Sequence, residues 1–306
     1  MNIRFLETAL WLAKLKSIKA TAEKLCLTQA AVSSRISNLE QDLGVCLFIR
    51  GGDGFEPTSV GVTFLEHADR IVSAHQSLRA SMLDPNKLVG SLRIGMTSTL
   101  IPTILPRLVD TLRQDYPRIS ISLKTELTER LLKELEIGRV DLVLGADSES
   151  VHERFESVPL CAFSMTFVAS PKLELKFADA ALPEELAQYP IIGYPPGTRS
   201  QLRIDRYFEN CGVCPQIIHV SNAVPTNLQL AISGIGIAAV PEAIVQREIA
   251  SGELAPIKLK RPFVSVNYQA VFLRDQGQGL ARAVAALARD VAANYCESVG
   301  KRIAWQ

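Results

Sequence analysis

Two groups of residues combine types and spacings suited to chemistry, and both chemistries are non-covalent. The first is "TQAAVSSR", Thr28 to Arg35, in which Gln29, Ala30, Ser33 and Ser34 follow steps of three and four along one helix face. A Gln amide pairs with adenine in the major groove, and a short Ser reaches a base edge or a phosphate. A merely solvated helix carries several Lys and Glu. This face is small and uncharged through its N-terminal half, with Arg35 beside it, as close approach to a groove requires. The second group is a set of polar residues ahead of helices. "TSTLIP" supplies Thr97, Ser98 and Thr99, Thr128 begins the next helix, "YPPGTRS" supplies Thr198 and Arg199, and "SNAVPT" supplies Asn222 and Thr226. Hydroxyls beside free helix N–H groups suit a carboxylate or another anion. The same residues are also ordinary N-caps, and Arg199 could equally pair an acid of its own lobe.

Covalent and metal chemistry find little support. No Ser or Cys nucleophile has an evident His partner, no carboxylate pair forms a motif, and the four His are not spaced as ligands of one site. The glycines of "GIGIAAVPE" precede or interrupt an apolar strand instead of joining a strand to a helix, so no dinucleotide cofactor is implied. Cysteines stand at 26, 46, 161, 211, 214 and 296. Only Cys211 and Cys214 approach a redox or metal spacing, and without a second pair nearby they read as free thiols at a helix end. The chain opens without a signal segment and holds no run of about 20 apolar residues. The expectation is therefore a cytoplasmic protein that neither enters a membrane nor acts as an enzyme, and that needs no cofactor. Charge adds little: 33 basic against 32 acidic residues overall, and seven against six within residues 1–60.

The elements that must position the first group are short. Phe5, Leu6, Ala9, Leu12 and Ala13 give a first helix one buried face; Ser17 caps a second helix burying Ile18, Ala22 and Leu25; Thr28 caps a third with Val32, Ile36 and Leu39 inward. Three short helices with capped turns form a helix-turn-helix. "GGDGFEPTSVG" follows as a glycine-rich hairpin with Arg50 at its base, placed for phosphate, although Asp53 weakens that contact. Residues 59–84 read as one long helix whose apolar seam, including Val62, Leu65, Val72 and Met82, calls for a partner helix, most economically its own copy. "DPNKLVGS" then breaks the helix, which makes 85–91 a hinge.

From Leu92 onward strands and helices alternate: "SLRIGMT", a helix started by Pro102, "ISISLKT", a helix ended by Gly138, and "VDLVLGA". Apolar strands in this order imply a parallel sheet flanked by helices. After Pro159 a second set of strands and helices follows, and the chain returns through "SVNYQAVFLR" to a long final helix. Two α/β lobes crossed twice by the chain result, lobe I at about 92–160 and 266–306 and lobe II at about 161–265, with a ligand cleft at the strand ends.

"SIKATAEKLCLTQAAVSSRISNLEQDLGVCLFIR" resembles the N-terminal signature of the LysR-type transcriptional regulators. Thr21-Ala22 falls on its Ala-Ala pair, Thr28-Gln29 on Ser/Thr-Gln and Val32-Ser33 on Val-Ser. The match continues through Leu39-Glu40, Leu43-Gly44, Leu47-Phe48 and Arg50. Thr21, Ala30 and Pro57 depart from the pattern. The resemblance implies a winged helix-turn-helix over 1–58, a linker and dimerisation helix over 59–84, and an effector-binding domain over 92–306 similar to periplasmic solute-binding proteins. It further implies a homodimer or tetramer on double-stranded DNA bearing an inverted-repeat operator. Contact with RNA polymerase would change when a small, anionic effector occupies the cleft. The competing reading is a cytoplasmic small-molecule sensor whose helical head serves oligomerisation alone.

Overall fold

The computed structural model describes residues 2–51, 54–83, 90–177, 179–221, 223–274 and 279–306. Two compact units emerge, one holding Met1–Ser91 with Arg118–Ser120, the other Leu92–Pro117 with Ile121–Gln306. Residues 85–89 of the expected hinge 85–91 lie outside the described residues, as do Asp84, Gly52, Asp53 and Asn222.

In the first unit α1 (Ile3–Leu15), α2 (Ile18–Leu25) and α3 (Gln29–Leu43) are separated by tight left-handed turns at Lys16 and Cys26. Each helix start is capped as its sequence dictates: Asn2, Ser17 and Thr28 accept from the backbone N–H groups of Arg4, Ala20 and Ala31. Leu6, Ala9 and Leu12 of α1 meet Ile36 and Leu39 of α3 in one core. The strands β1 (Phe48–Gly51) and β2 (Gly54–Pro57) pair antiparallel, with Gly51 opposite Gly54, and form the wing. Phe55 N–H donates to the Lys16 carbonyl at 2.9 Å, and a Cβ on Gly54 would lie 2.2 Å from that oxygen, so glycine is required there.

Helix α4 (Ser59–Leu83) divides its apolar seam between the chain's own core and solvent. Ala68 and Val72 are buried in the α1–α3 core, with Phe64 and Leu65 packed against it, so part of the seam is already covered within the chain. Val60, Val62 and Ile71 remain exposed. An amphipathic helix of this length has more than one apolar stripe, and α1 takes the nearer one. The side chain of Met82 lies outside the described residues.

The second unit has two lobes. Its elements are β3 (Gly90–Met96), α5 (Leu105–Asp115), β4 (Ile119–Thr125), α6 (Thr128–Glu136), β5 (Leu142–Ala146), β6 (Phe155–Phe163), β7 (Met165–Ala169), α7 (Pro183–Leu186) and β8 (Ile191–Gly193). They continue with α8 (Arg199–Glu209), β9 (Ile217–Val220), α9 (Val224–Ile232), β10 (Ile237–Pro241), α10 (Gln246–Ala250), β11 (Ala255–Pro256), β12 (Val266–Leu273), α11 (Leu280–Val299) and β13 (Ala304–Trp305). Lobe I is a six-stranded sheet in the order β13-β6-β12-β5-β3-β4, and lobe II a five-stranded sheet in the order β11-β7-β10-β8-β9.

The sheets are mixed rather than parallel. β3 and β5 run parallel, as do β10, β8 and β9, whereas β12 is antiparallel to β5 and β6, and β7 to β10. The reversed strands are those by which the chain changes lobe. No crossover helix precedes them, so nothing forces the parallel direction. Pro159 does not end lobe I either, since β6 runs through it to Phe163. In the register Tyr268 faces Cys161 while Gln269 faces Pro159, leaving Leu160 as an extra residue. A bulge tolerates a proline that cannot donate.

Candidate functional site

In the first unit, α3 presents Gln29, Ala30, Ser33 and Ser34 to solvent, all exposed, while Val32, Ile36 and Leu39 are buried. The Thr28 hydroxyl accepts from Ala31 N–H at 3.1 Å, so Thr28 sets the start of this helix. Arg35 does not share the outer face. It lies three residues after Val32 and four before Leu39, on the buried stripe. Its Nη1 donates to the Thr8 hydroxyl at 3.2 Å, and the guanidinium sits over the Phe5 ring. Arg35 therefore ties α3 to α1.

Glu40 is a residue whose role spacing alone hides. Its Oε1 accepts from both Leu47 N–H (2.7 Å) and Phe48 N–H (3.1 Å), which fixes the wing to the end of α3. Gly44 ends α3 with φ 68°, and Thr58 caps α4 by accepting from Gly61 N–H at 2.9 Å. A Cβ on Gly61 would come 2.1 Å from the Leu47 carbonyl oxygen. Glu40, Gly44, Thr58 and Gly61 are thus the joints that orient a wing whose Arg50 is exposed.

In the second unit four of the expected segments converge. A cleft of about 440 Å³ is lined by Thr97, Ser98, Thr99, Thr128, Thr198 and Arg199, which come from both lobes. Thr226 is not among its lining residues. Helix α9 starts earlier than its sequence suggests, with Ala223 at the N-cap and Pro225 in the first turn, which leaves Thr226 exposed. Ala223, Val224 and Pro225 line the cleft instead. Likewise Pro102 does not start α5. Ser98–Leu100 form a single 3₁₀ turn and α5 begins at Leu105, so the amides near Thr97 belong to that turn.

The hydroxyls divide by whether they are already occupied. Thr198 accepts from Gln201 N–H at 3.3 Å and donates to the Pro195 carbonyl at 2.7 Å, the behaviour of a plain cap. Thr97 occupies an N-cap position without making the cap bond, and its Oγ1 is buried with no hydrogen-bond partner among the described residues. Thr128 is buried at the first position of α6, where Leu127 holds the cap position. A Cβ on Gly145 would lie 2.8 Å from Thr128 Oγ1, so this glycine keeps the strand end open beside both threonines. Buried polar atoms are rarely left unpaired, which sets Thr97 apart from the capped Thr198.

Sequence spacing gave no sign of Tyr194, Tyr268 or Arg203. Both phenols line the cleft. Burial pushes Tyr194 up to about 12, partly offset by a hydrogen bond with Asn227. Burial also raises Tyr268, opposed by the Thr99 hydroxyl, so both stay protonated at neutral pH.

Arg199 pairs acids of the opposite lobe, not of its own. Nη1 donates to the Asp147 carbonyl at 2.9 Å, Nε lies 3.1 Å from Glu129 Oε1, and Nη2 lies 3.7 Å from Glu149. Glu129 Oε1 has no aligned donor, so charge alone holds that contact. One turn along α8, Arg203 Nη2 donates to Asp147 Oδ1 at 3.2 Å. Two arginines of lobe II therefore clasp three acids of lobe I beside the cleft.

Among the described residues no group of three or more His, Cys, Asp or Glu could hold a metal, and no helix is long and apolar enough to cross a membrane. Residues 3–62 match the family described as bacterial regulatory helix-turn-helix protein, lysR family, and residues 85–293 match the LysR substrate binding domain. The regulator CzcR of Bacillus subtilis is 26% identical over 95% of this chain and 97% of its own. ClcR of Pseudomonas putida is 28% identical over 80% and 84%. Among solved structures, an OxyR mutant of Corynebacterium glutamicum superposes with a TM-score of 0.67 at 20% identity, over 98% of this chain and 96% of that one. Full-length CbnR in complex with its target DNA gives 0.67 at 21%, over 96% and 100%. The chain belongs to the LysR family of transcriptional regulators, with an N-terminal DNA-binding helix-turn-helix and a C-terminal effector-binding domain.

Proposed function

We propose that this regulator recognises an inverted-repeat operator as a homodimer or tetramer through Gln29, Ala30, Ser33 and Ser34, with Arg50 on the backbone, and that its cleft takes a small organic anion. The observation that carries the effector reading is the convergence of Thr97, Ser98, Thr99 and Thr128 on one cleft together with the unpartnered Thr97 hydroxyl. The exposed apolar side chains Val60, Val62 and Ile71 of α4 support self-association. The small outer face of α3, beside a helix start fixed by Thr28, supports close approach to a groove.

A carboxylate entering the cleft meets hydroxyls and two cations, of which Arg199 has a poorly aligned contact with Glu129. By taking over Arg199 from Glu129, the ligand loosens a contact between lobes while making new ones of its own. A differential affinity of a few kcal/mol suffices to shift such an equilibrium. Promoter occupancy and contact with RNA polymerase change in turn. A thermal-shift screen of small carboxylates is the test, because a ligand of the native state raises apparent stability. Hits should lose affinity in Thr97→Val and Thr128→Val. Retention of every hit by both variants would place the effector elsewhere.

A further inference from the structure

Beyond Arg199 and Arg203, α8 borders a second hollow of about 740 Å³, and these two arginines are the only lining residues it shares with the cleft. Its charge is unbalanced. Arg199 and Arg203 are matched by Glu129, Asp147 and Glu149. Two more arginines line the hollow without an acid. Among the described residues Arg206, which is exposed, makes no ion pair, and Arg261 donates only to neutral groups, the Asn210 carbonyl at 3.4 Å and Cys211 Sγ at 3.0 Å. The C-terminal end of α8 offsets about half a charge at most, which leaves the rim cationic.

The same hollow exposes apolar surface. Val264 is 70% exposed and Leu202 41%, beside Pro262. Leu202 and Arg206 are one turn apart on α8, so an apolar shelf and a free cation share one helix side. Asn210, a further turn along, holds Arg261 through its carbonyl. A guanidinium fixed by neutral acceptors keeps its remaining N–H donors for a planar anion.

We propose that this hollow is a second ligand site, distinct from the cleft, for a small monocarboxylate with an apolar body. Arg206 and Arg261 take the carboxylate, and Leu202, Pro262 and Val264 take the apolar part. Asp147 and Glu149 of lobe I line the same hollow as α8 of lobe II, so an occupant lies beside the ion pairs that also flank the cleft. Occupancy of either site then alters the other, and by linkage the effect is reciprocal.

Isothermal titration of the full-length protein with octanoate and phenylacetate tests this, using acetate as the small-anion control. The expected result is saturable binding of at least one of the two larger acids, weakened tenfold or more in Arg206→Ala/Arg261→Ala. That binding should persist in Gly145→Ala, whose added Cβ crowds Thr128 and Thr97 in the cleft. Arg206→Lys, which keeps the charge, should restore most of the affinity lost in Arg206→Ala. Failure of both acids to bind, acetate binding as tightly, or loss in Gly145→Ala with retention in the arginine variants would each overturn the proposal. The last outcome would leave the reading of the cleft itself intact.

Discussion

Thr97 and Thr198 stand at two helix starts around one cleft, and replacing each by valine should move stability in opposite directions. Valine preserves the shape of threonine and removes only the hydroxyl. At Thr97 that hydroxyl oxygen is buried without a partner, and an unsatisfied buried polar group costs about 1–3 kcal/mol. Thr97→Val should therefore stabilise the ligand-free protein by about 1 kcal/mol, a rise of about 2–4 °C in Tm for a unit of this size. At Thr198 the hydroxyl both caps Gln201 N–H and donates to Pro195 O. Thr198→Val leaves both unpaired and should cost about 1 kcal/mol, a fall of similar size. Differential scanning fluorimetry without ligand reads both. With a cleft ligand present, Thr97→Val should lose about fivefold to tenfold in affinity for want of one hydrogen bond. Equal destabilisation by the two substitutions would mean that the Thr97 hydroxyl has a partner within the protein, contrary to the geometry described.

Gly145→Ala places a Cβ 2.8 Å from Thr128 Oγ1, so the thermal shift given by a cleft ligand should vanish while the free protein still unfolds cooperatively. Gly61→Ala brings a Cβ 2.1 Å from the Leu47 carbonyl oxygen, and the forced displacement of α4 should cost about 3 kcal/mol and abolish DNA binding, as read by chemical denaturation and gel shift. Tyr194 governs an alkaline limb: its native value of about 12 lies above the ordinary value near ~10, so the unfolded chain loses the proton first as pH rises. Its contribution is constant from pH 6 to 9 and is lost above about pH 10, by roughly 2–3 kcal/mol at the far end. Tyr194→Phe should lessen that slope in pH-dependent melting without abolishing it, because burial raises Tyr207, Tyr268 and Tyr295 as well.

The first unit was legible because its signals are local. Caps at Ser17 and Thr28, apolar steps of three and four, and the glycines of the wing each act within a few residues, and each reappears in the fold. Arg35 escaped that reading because its partners, Thr8 and Phe5, sit on another helix. In the second unit the hydroxyls of Thr97, Thr99 and Thr128 announced themselves by lying at helix starts. Tyr194, Tyr268 and Arg203 did not, since the lobe crossing brings them to the cleft from strands and helix interiors. The parallel direction implied for the strands between Leu92 and Ala146 holds for β3 and β5, whereas the antiparallel return of β12 has no mark in the sequence, because a strand carries the same apolar pattern in either direction. Arg199 shows the sharpest contrast, a cleft-lining residue whose partners, the Asp147 carbonyl, Glu129 and Glu149, are 50 to 70 residues away.

The claim that ties both units together is that a ligand held by Thr97 alters how the protein occupies its operator. Its most direct measurement is fluorescence anisotropy of the full-length protein on a labelled fragment from upstream of its own gene, titrated with and without a carboxylate found by thermal shift. The account predicts that the ligand changes DNA affinity or its salt dependence in the parent protein. It predicts a much weaker change in Thr97→Val at the same ligand concentration, and loss of preference for that fragment over random DNA in Gln29→Ala/Ser33→Ala. A ligand effect of equal size in Thr97→Val, or undiminished selectivity in the α3 variant, would contradict it.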